Sequence, residues 1–278
     1  MKNLEEQVIL VTGATDGIGK GVANKLAQLG ARVLLHGRDA GRLAKVRENI
    51  IRETKNEKIE TYLADFSALE EVRKFASKVH TDHESLDVLI NNAGIGRGRR
   101  GHQNREVSAD GFELRFQVNH LAPFLLAHLL LPLLRAGSPS RIINVASASQ
   151  DKINFDDIML ERSYNGTRAY SQSKLAMVMS TFELAKRLES SEVTVNALHP
   201  GSLLDTKIVR EAWGSAQAPI EIGIESEFYL ATSPDLENIT GNYFDQKRRV
   251  QAHPQAYDEK ALQNLWQISN RLTKQAIN

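Results

Sequence analysis

Short apolar runs recur along the chain, most of them ending in glycine, asparagine or another turn residue, and the stretches between them carry apolar positions at helical spacing. Val8-Ile9-Leu10-Val11, Arg32-Val33-Leu34-Leu35-His36, Thr61-Tyr62-Leu63, Leu86-Asp87-Val88-Leu89-Ile90 and Arg141-Ile142-Ile143-Asn144-Val145 predict strands, with Thr240-Gly241-Asn242-Tyr243-Phe244 as the last. Runs with so little alternation suit a sheet covered on both faces. The repetition of strand and helix predicts a doubly wound α/β fold: a parallel sheet of about seven strands with helices on both faces. No linker, repeat or low-complexity tract divides the chain, so residues 1–278 read as one domain. The most apolar stretch, Leu121 to Leu131, is interrupted by Pro123 and falls short of the ~20 residues that cross a bilayer, so it predicts a buried helix.

The first strand runs into Thr12-Gly13-Ala14-Thr15-Asp16-Gly17-Ile18-Gly19, a glycine turn that opens a helix. Gly13 permits the sharp turn, Gly17 the close approach of a diphosphate, and Gly19 the close packing of helix on sheet, while the helix N-terminus faces the negative charge. A dinucleotide site built on Gly13, Thr15, Asp16, Gly17, Ile18 and Gly19 is expected. The second strand ends at Gly37-Arg38-Asp39, where the adenosine ribose would lie. Arg38 can clamp a 2′-phosphate that a carboxylate would repel, so NADP(H) is the expected cofactor. The bland alternative is a surface arginine, and Asp39 caps the next helix in either case. Asp65, before Phe66, could equally cap the helix that follows Ser67.

Charge and composition act mainly by exclusion. Lys plus Arg (35) balance Asp plus Glu (34), which favours neither nucleic acid nor an anionic membrane and leaves a small molecule as the expected partner. Cysteine is absent, which removes disulfides and thiolate chemistry. The eight histidines lack ligand spacing, so no metal is expected. The basic stretch Gly96 to Arg105 has no aromatic residue to stack on a base and reads as a solvated loop bordering a substrate entrance. Met1 to Glu6 is too polar for a signal peptide, and a soluble cytoplasmic protein is expected.

Two tyrosine-lysine pairs have the spacing that shares one helix face: Tyr170 with Lys174, and Tyr243 with Lys247. Bringing a phenol from its usual pKa of ~10 to neutrality takes about 4 kcal/mol, much of which a nearby ammonium can supply. Ser147 ends the fifth strand, on the edge where open parallel sheets bind ligands, and Tyr170 begins the next long helix, Tyr170 to Leu188. Tyr243 lies in the last strand, where alternation makes it and Lys247 ordinary sheet and surface residues.

Glycines at intervals of four and two, Asn91-Asn92-Ala93-Gly94 directly after a strand, and Tyr170-Ser171-Gln172-Ser173-Lys174 together resemble the short-chain dehydrogenase/reductase family over nearly the whole chain. Asp110-Gly111-Phe112-Glu113, Val118-Asn119-His120-Leu121, His199-Pro200-Gly201, Gly241-Asn242-Tyr243-Phe244 and the long gap from Ser147 to Tyr170 narrow the likeness to the retinol dehydrogenase and WW-domain oxidoreductase-like branch. The membrane-anchoring N-terminal helix of the retinol enzymes has no counterpart here, so no membrane contact is expected. The resemblance implies a Rossmann fold and an Asn119, Ser147, Tyr170, Lys174 tetrad. It implies reversible hydride transfer between NADP(H) and a small, lipophilic carbonyl or alcohol substrate. Tyr170 would exchange the proton, Lys174 lower its pKa and bind the ribose, Ser147 polarise the carbonyl, and Asn119 organise a relay water. Asp65 and Phe66 would face the adenine, Asn92, Ala93 and Gly94 the ribose, and Pro200, Gly201 and Thr206 or a neighbour the nicotinamide. A homodimer or homotetramer through the Leu121 helix and the tyrosine helix is also implied. The alternative is an NADP(H)-binding sensor with weak turnover.

Overall fold

The computed structural model describes residues 2–98, 104–188 and 193–274. Its strands are β1 (Val8–Val11), β2 (Arg32–Gly37), β3 (Ile59–Leu63), β4 (Val88–Asn91), β5 (Ser140–Val145), β6 (Val193–His199), β7 (Tyr243–Asp245) and β8 (Arg248–Val250). Its helices are α1 (Gly17–Gln28), α2 (Ala40–Thr54), α3 (Leu69–Asp82), α4 (Leu114–Phe116), α5 (Ala122–Ala136), α6 (Gly166–Arg187), α7 (Lys207–Trp213), α8 (Glu221–Thr232) and α9 (Glu259–Thr273). One eight-stranded sheet runs in the order β3-β2-β1-β4-β5-β6-β7-β8. Every neighbouring pair is parallel except β7 with β8. The eighth, antiparallel strand was not expected. It is only Arg248-Arg249-Val250, turned back through Gln246 at φ +56°, and offers no apolar run to read.

Ile9, Val11, Val33, Leu35 and Ile143 join the core shared with α1, α2 and α8, whereas Leu10, Leu34, Leu89 and Ile142 join the core shared with α3, α5, α6 and α9. This double covering is why the strands read as nearly continuous hydrophobic runs. Connections diverge between β1 and β4, which opens a crevice at the carboxyl ends of these strands.

Leu114–Ala136 forms one continuous helix in which a π turn, Gln117–Leu121, joins α4 to α5. By length and composition it could cross a membrane, contrary to the expectation that no segment would, yet its most apolar window is 89% buried in the fold. Pro123, which has no N–H to donate, follows directly on the π turn, whose last bond runs from Ala122 N–H to the Gln117 carbonyl, and the helix continues past it. The surface of α5 and α6 around Phe124, His128 and Arg187 is covered by α9: Trp266 meets Phe124 edge-on at 5.0 Å and lies under Arg187 at 4.5 Å.

The tyrosine helix starts earlier than expected. Asn165 caps α6, its side chain accepting from the N–H groups of Thr167 and Arg168 at 2.9 and 3.1 Å, so Tyr170 sits in the second turn rather than at the start.

Candidate active site

A cavity of about 840 Å³ follows the carboxyl ends of the strands. Gly13 and Gly17 have φ of +67° and +58°, the region that favours glycine. A Cβ on Gly13 would stand 2.8 Å from the Ala93 Cα and one on Gly19 2.2 Å from Asn92 Nδ2, whereas one on Gly17 would meet nothing within 4 Å. Gly13 and Gly19 are therefore set by packing, and Gly17 opens on space at the N-terminus of α1, where a diphosphate fits. Asp16 caps that helix by accepting from Gly17 N–H at 2.8 Å. Asn92 Nδ2 donates to the carbonyl of Thr12 at 2.7 Å and Ala93 N–H to Thr12 Oγ1 at 3.0 Å, which joins the two halves of the turn region.

His36 adds a brace that sequence reading missed. Its Nδ1 accepts from Gly13 N–H at 3.3 Å, its Nε2 faces the Ala64 carbonyl at 3.1 Å, and its ring stacks on Phe66 at 4.3 Å. Burial pushes its pKa down to about 4, which keeps the neutral ring that one accepting and one donating nitrogen require. The Phe66 side chain thus supports the site from within the core.

At the adenosine end, Arg38, Arg42, Asp65 and Ser67 line the cavity together. A Cβ on Gly37 would come within 2.5 Å of Thr15 Cγ2, so no carboxylate has room there. Asp39 caps α2 by accepting from Arg42 N–H at 2.9 Å. Asp65 accepts from Ser67 N–H at 2.9 Å and does not cap α3; Asp110 takes that role from Leu69 N–H at 2.8 Å. Arg42, in the first turn of α2, was not anticipated.

Ser147, Tyr170 and Lys174 line the same cavity, as do Asn92, Ala93, Gly94, Pro200, Gly201 and Thr206. Thr206 also caps α7, accepting from Val209 N–H at 3.4 Å. Among the expected site residues, Gly19 and Asn119 do not reach the cavity wall. Asn119 lies in the π turn, its Oδ1 accepting from Ile95 N–H at 2.8 Å and its Nδ2 donating to the Ile95 carbonyl and Ser173 Oγ at 3.0 and 2.9 Å. That amide is committed to protein partners, so it secures the end of β4 and is not placed to hold a water through its NH₂.

Ser147 stands beside Tyr170 at the cavity wall, and its Oγ accepts from Ser149 N–H at 3.1 Å. Lys174 Nζ donates to the Val145 carbonyl at 2.7 Å and lies 5.9 Å from the centre of the Tyr170 ring. The Tyr170 pKa is raised, not lowered as the pairing with Lys174 implied. Burial of the phenol outweighs the lowering influence of the Ser147 hydroxyl, and the ammonium is engaged elsewhere.

Glu227 on α8 is fully buried, with no hydrogen-bond partner on either carboxylate oxygen among the described residues. Burial pushes it up to about 8 and pushes Lys174 down to about 8, while the opposite charges of the two partly offset these effects. A carboxyl raised in the fold adds stability below its unfolded pKa and loses it as pH rises through the folded value. Glu227→Gln should therefore gain on the unaltered protein by about 2–3 kcal/mol between about pH 5.5 and pH 7.5, read from denaturant midpoints. A gap that does not change with pH would show that Glu227 is already ionised in the fold.

One part of the wall is apolar: Ile95, Val107, Leu114, Val118 and Trp213 contribute, with Val107 and Trp213 about half exposed. Arg97 stacks on Trp213 at 4.0 Å and donates to the Ala212 carbonyl at 2.8 Å, tying the loop after β4 to α7. Residues 99–103 of the basic loop lie outside the described residues. The stretch between Ser147 and Tyr170 is fastened by Tyr164, whose hydroxyl accepts from Arg115 at 2.7 Å, while Arg115 donates to the Gly96 carbonyl at 2.9 Å.

Residues 7–216 match the family model described as short chain dehydrogenase. Retinol dehydrogenase 13 of Homo sapiens is 39% identical over 285 residues, covering 96% of this chain and 84% of that protein. The structure of an uncharacterised protein from Mycobacterium paratuberculosis superposes with a TM-score of 0.80 at 29% identity, covering 98% of this chain and 95% of that one. A short chain dehydrogenase from Escherichia coli CFT073, complexed with NADPH, gives 0.72 at 25% identity over 87% of this chain and 97% of that one. The glycine turn, the Asn-Asn-Ala-Gly run and the Ser147, Tyr170, Lys174 cluster thus stand on the expected fold, and the chain belongs to the short-chain dehydrogenase family.

Proposed function

We propose that the protein is an NADP(H)-dependent oxidoreductase that interconverts a small lipophilic carbonyl compound and its alcohol. The observation that carries this reading is the placement of Ser147, Tyr170 and Lys174 together on the wall of a cavity that also contains the glycine turn and two arginines. Bound NADPH supplies the hydride. Tyr170, protonated at neutral pH, gives its proton to the carbonyl oxygen, and Ser147 polarises that oxygen through its hydroxyl. Lys174 binds the ribose beside Gly94, where a Cβ would stand 3.4 Å from its Nζ. The apolar walls and the kinship with a retinol dehydrogenase support a lipophilic substrate. Arg38 and Arg42 beside Gly37, together with the NADPH complex of the Escherichia coli relative, support NADP(H) over NAD(H).

Arg38→Ala tests the cofactor assignment. Loss of a charge-assisted clamp should weaken NADPH binding by about 1.5–3 kcal/mol and NADH binding by much less, measured by titrating nicotinamide fluorescence. Equal losses for the two cofactors would count against a 2′-phosphate at Arg38.

A further inference from the structure

The geometry points to Tyr243 as a positioning residue for Ser147, and thereby for proton transfer at Tyr170. Tyr243 was expected to be an ordinary sheet residue. Instead its ring is 4% exposed at the start of β7, beside Ala197 of β6, and its hydroxyl donates to the Ser147 carbonyl at 3.0 Å. Gln150 Nε2 donates to the same carbonyl at 3.0 Å, so two donors from different parts of the chain fix one peptide. The Gln150 side chain is fixed in turn: its Oε1 accepts from His253 N–H at 2.8 Å, in the segment after β8. Gln255 reinforces the arrangement two residues on, its Oε1 accepting from Ile153 N–H at 2.7 Å and its Nε2 donating to the Ile153 carbonyl at 3.3 Å.

The turn 147–153 is therefore clamped by the C-terminal part of the chain. Tyr243 is not part of the cavity wall, so it acts through Ser147 and not on a substrate. Burial raises its pKa, and Asp245 and Tyr170 add to the effect, so it is a donor at neutral pH. Without these two donors the buried Ser147 carbonyl is left unpaired and the peptide can pivot, moving the Ser147 hydroxyl that stands beside Tyr170 at the cavity wall. Displacements of this kind, on the order of 1 Å, cost up to about a hundredfold in rate.

This inference rests on the oxidoreductase reading, and a double-mutant cycle separates the two. In the unaltered protein, Tyr243→Phe should lower kcat for a lipophilic aldehyde about tenfold and leave the NADPH dissociation constant within about twofold. In a Ser147→Ala background the same change should cost less than about twofold, because the group it positions is already gone. Gln150→Leu, taken through the same cycle, decides the matter from the other donor if Tyr243→Phe fails to fold. An unchanged kcat in Tyr243→Phe, or equal losses with and without the Ser147 hydroxyl, would overturn the proposal while leaving the reading intact. Absence of turnover in the unaltered protein would sink both.

Discussion

Tyr170→Phe should lower kcat by at least about 10²-fold, and by as much as 10⁴, with NADPH affinity within about twofold of the unaltered protein. One oxygen is removed, while the second turn of α6 and its packing are otherwise kept. That oxygen stands beside Ser147 at the cavity wall, placed to give or take a proton. Because burial raises the phenol pKa, Tyr170 is protonated near neutrality and ready to act as an acid. Carbonyl reduction should accordingly be efficient near pH ~7, and alcohol oxidation, which needs the ionised phenol, should rise as the medium becomes alkaline. Steady-state kinetics in both directions, with fluorescence titration of NADPH, measure these effects. Near-normal turnover in Tyr170→Phe would move the chemistry to another group.

Lys174→Ala should lose on both counts: about 10³-fold in kcat/KM and about tenfold in NADPH affinity. Lys174 is 5% exposed, and its Nζ donates to the Val145 carbonyl at 2.7 Å and borders Gly94. Removal leaves a buried carbonyl unpaired and deprives Glu227 of the one opposite charge that lowers its pKa. The contrast with Tyr170→Phe is diagnostic, since the phenol serves the proton alone whereas the ammonium serves cofactor and proton together. Rapid-mixing measurement of hydride transfer, set beside equilibrium titration of NADPH, separates the two losses. Full retention of NADPH affinity would remove Lys174 from the cofactor site.

The cofactor half of the site was legible because its signals are local. Strand, glycine turn and helix follow one another within a dozen residues, Asp39 caps α2 as its type suggests, and Asn92 ties the turn as a short amide after a strand can. What escaped reading depends on distant contacts. Tyr170 and Tyr243 have the same spacing to a lysine, and alternation correctly placed Tyr243 in a strand. Nothing local showed that β7 lies two strands from β5, with the Tyr243 hydroxyl on a carbonyl 96 residues away. The early start of α6 was hidden by Gly166 and Thr167, weak helix formers whose N-terminus is stabilised by Asn165. Glu227 was equally silent, since a glutamate among the other polar residues of α8 reads as a solvated position. The expected fall of the Tyr170 pKa failed because the sequence displays the neighbouring charge and not the burial that opposes it.

The central claim is tested most directly by label transfer. NADPH carrying deuterium on the reactive carbon of its nicotinamide is incubated with a long-chain aldehyde and either the unaltered protein or Tyr170→Phe, and the alcohol is analysed by mass spectrometry. Deuterium should accumulate on the carbinol carbon with the unaltered protein and fall by at least about 10² in rate with Tyr170→Phe. NADPH binding without label transfer to any aldehyde, ketone or quinone in a panel would contradict the account and leave a nucleotide-binding protein without this chemistry. Equal transfer by the two proteins would place the proton donor elsewhere.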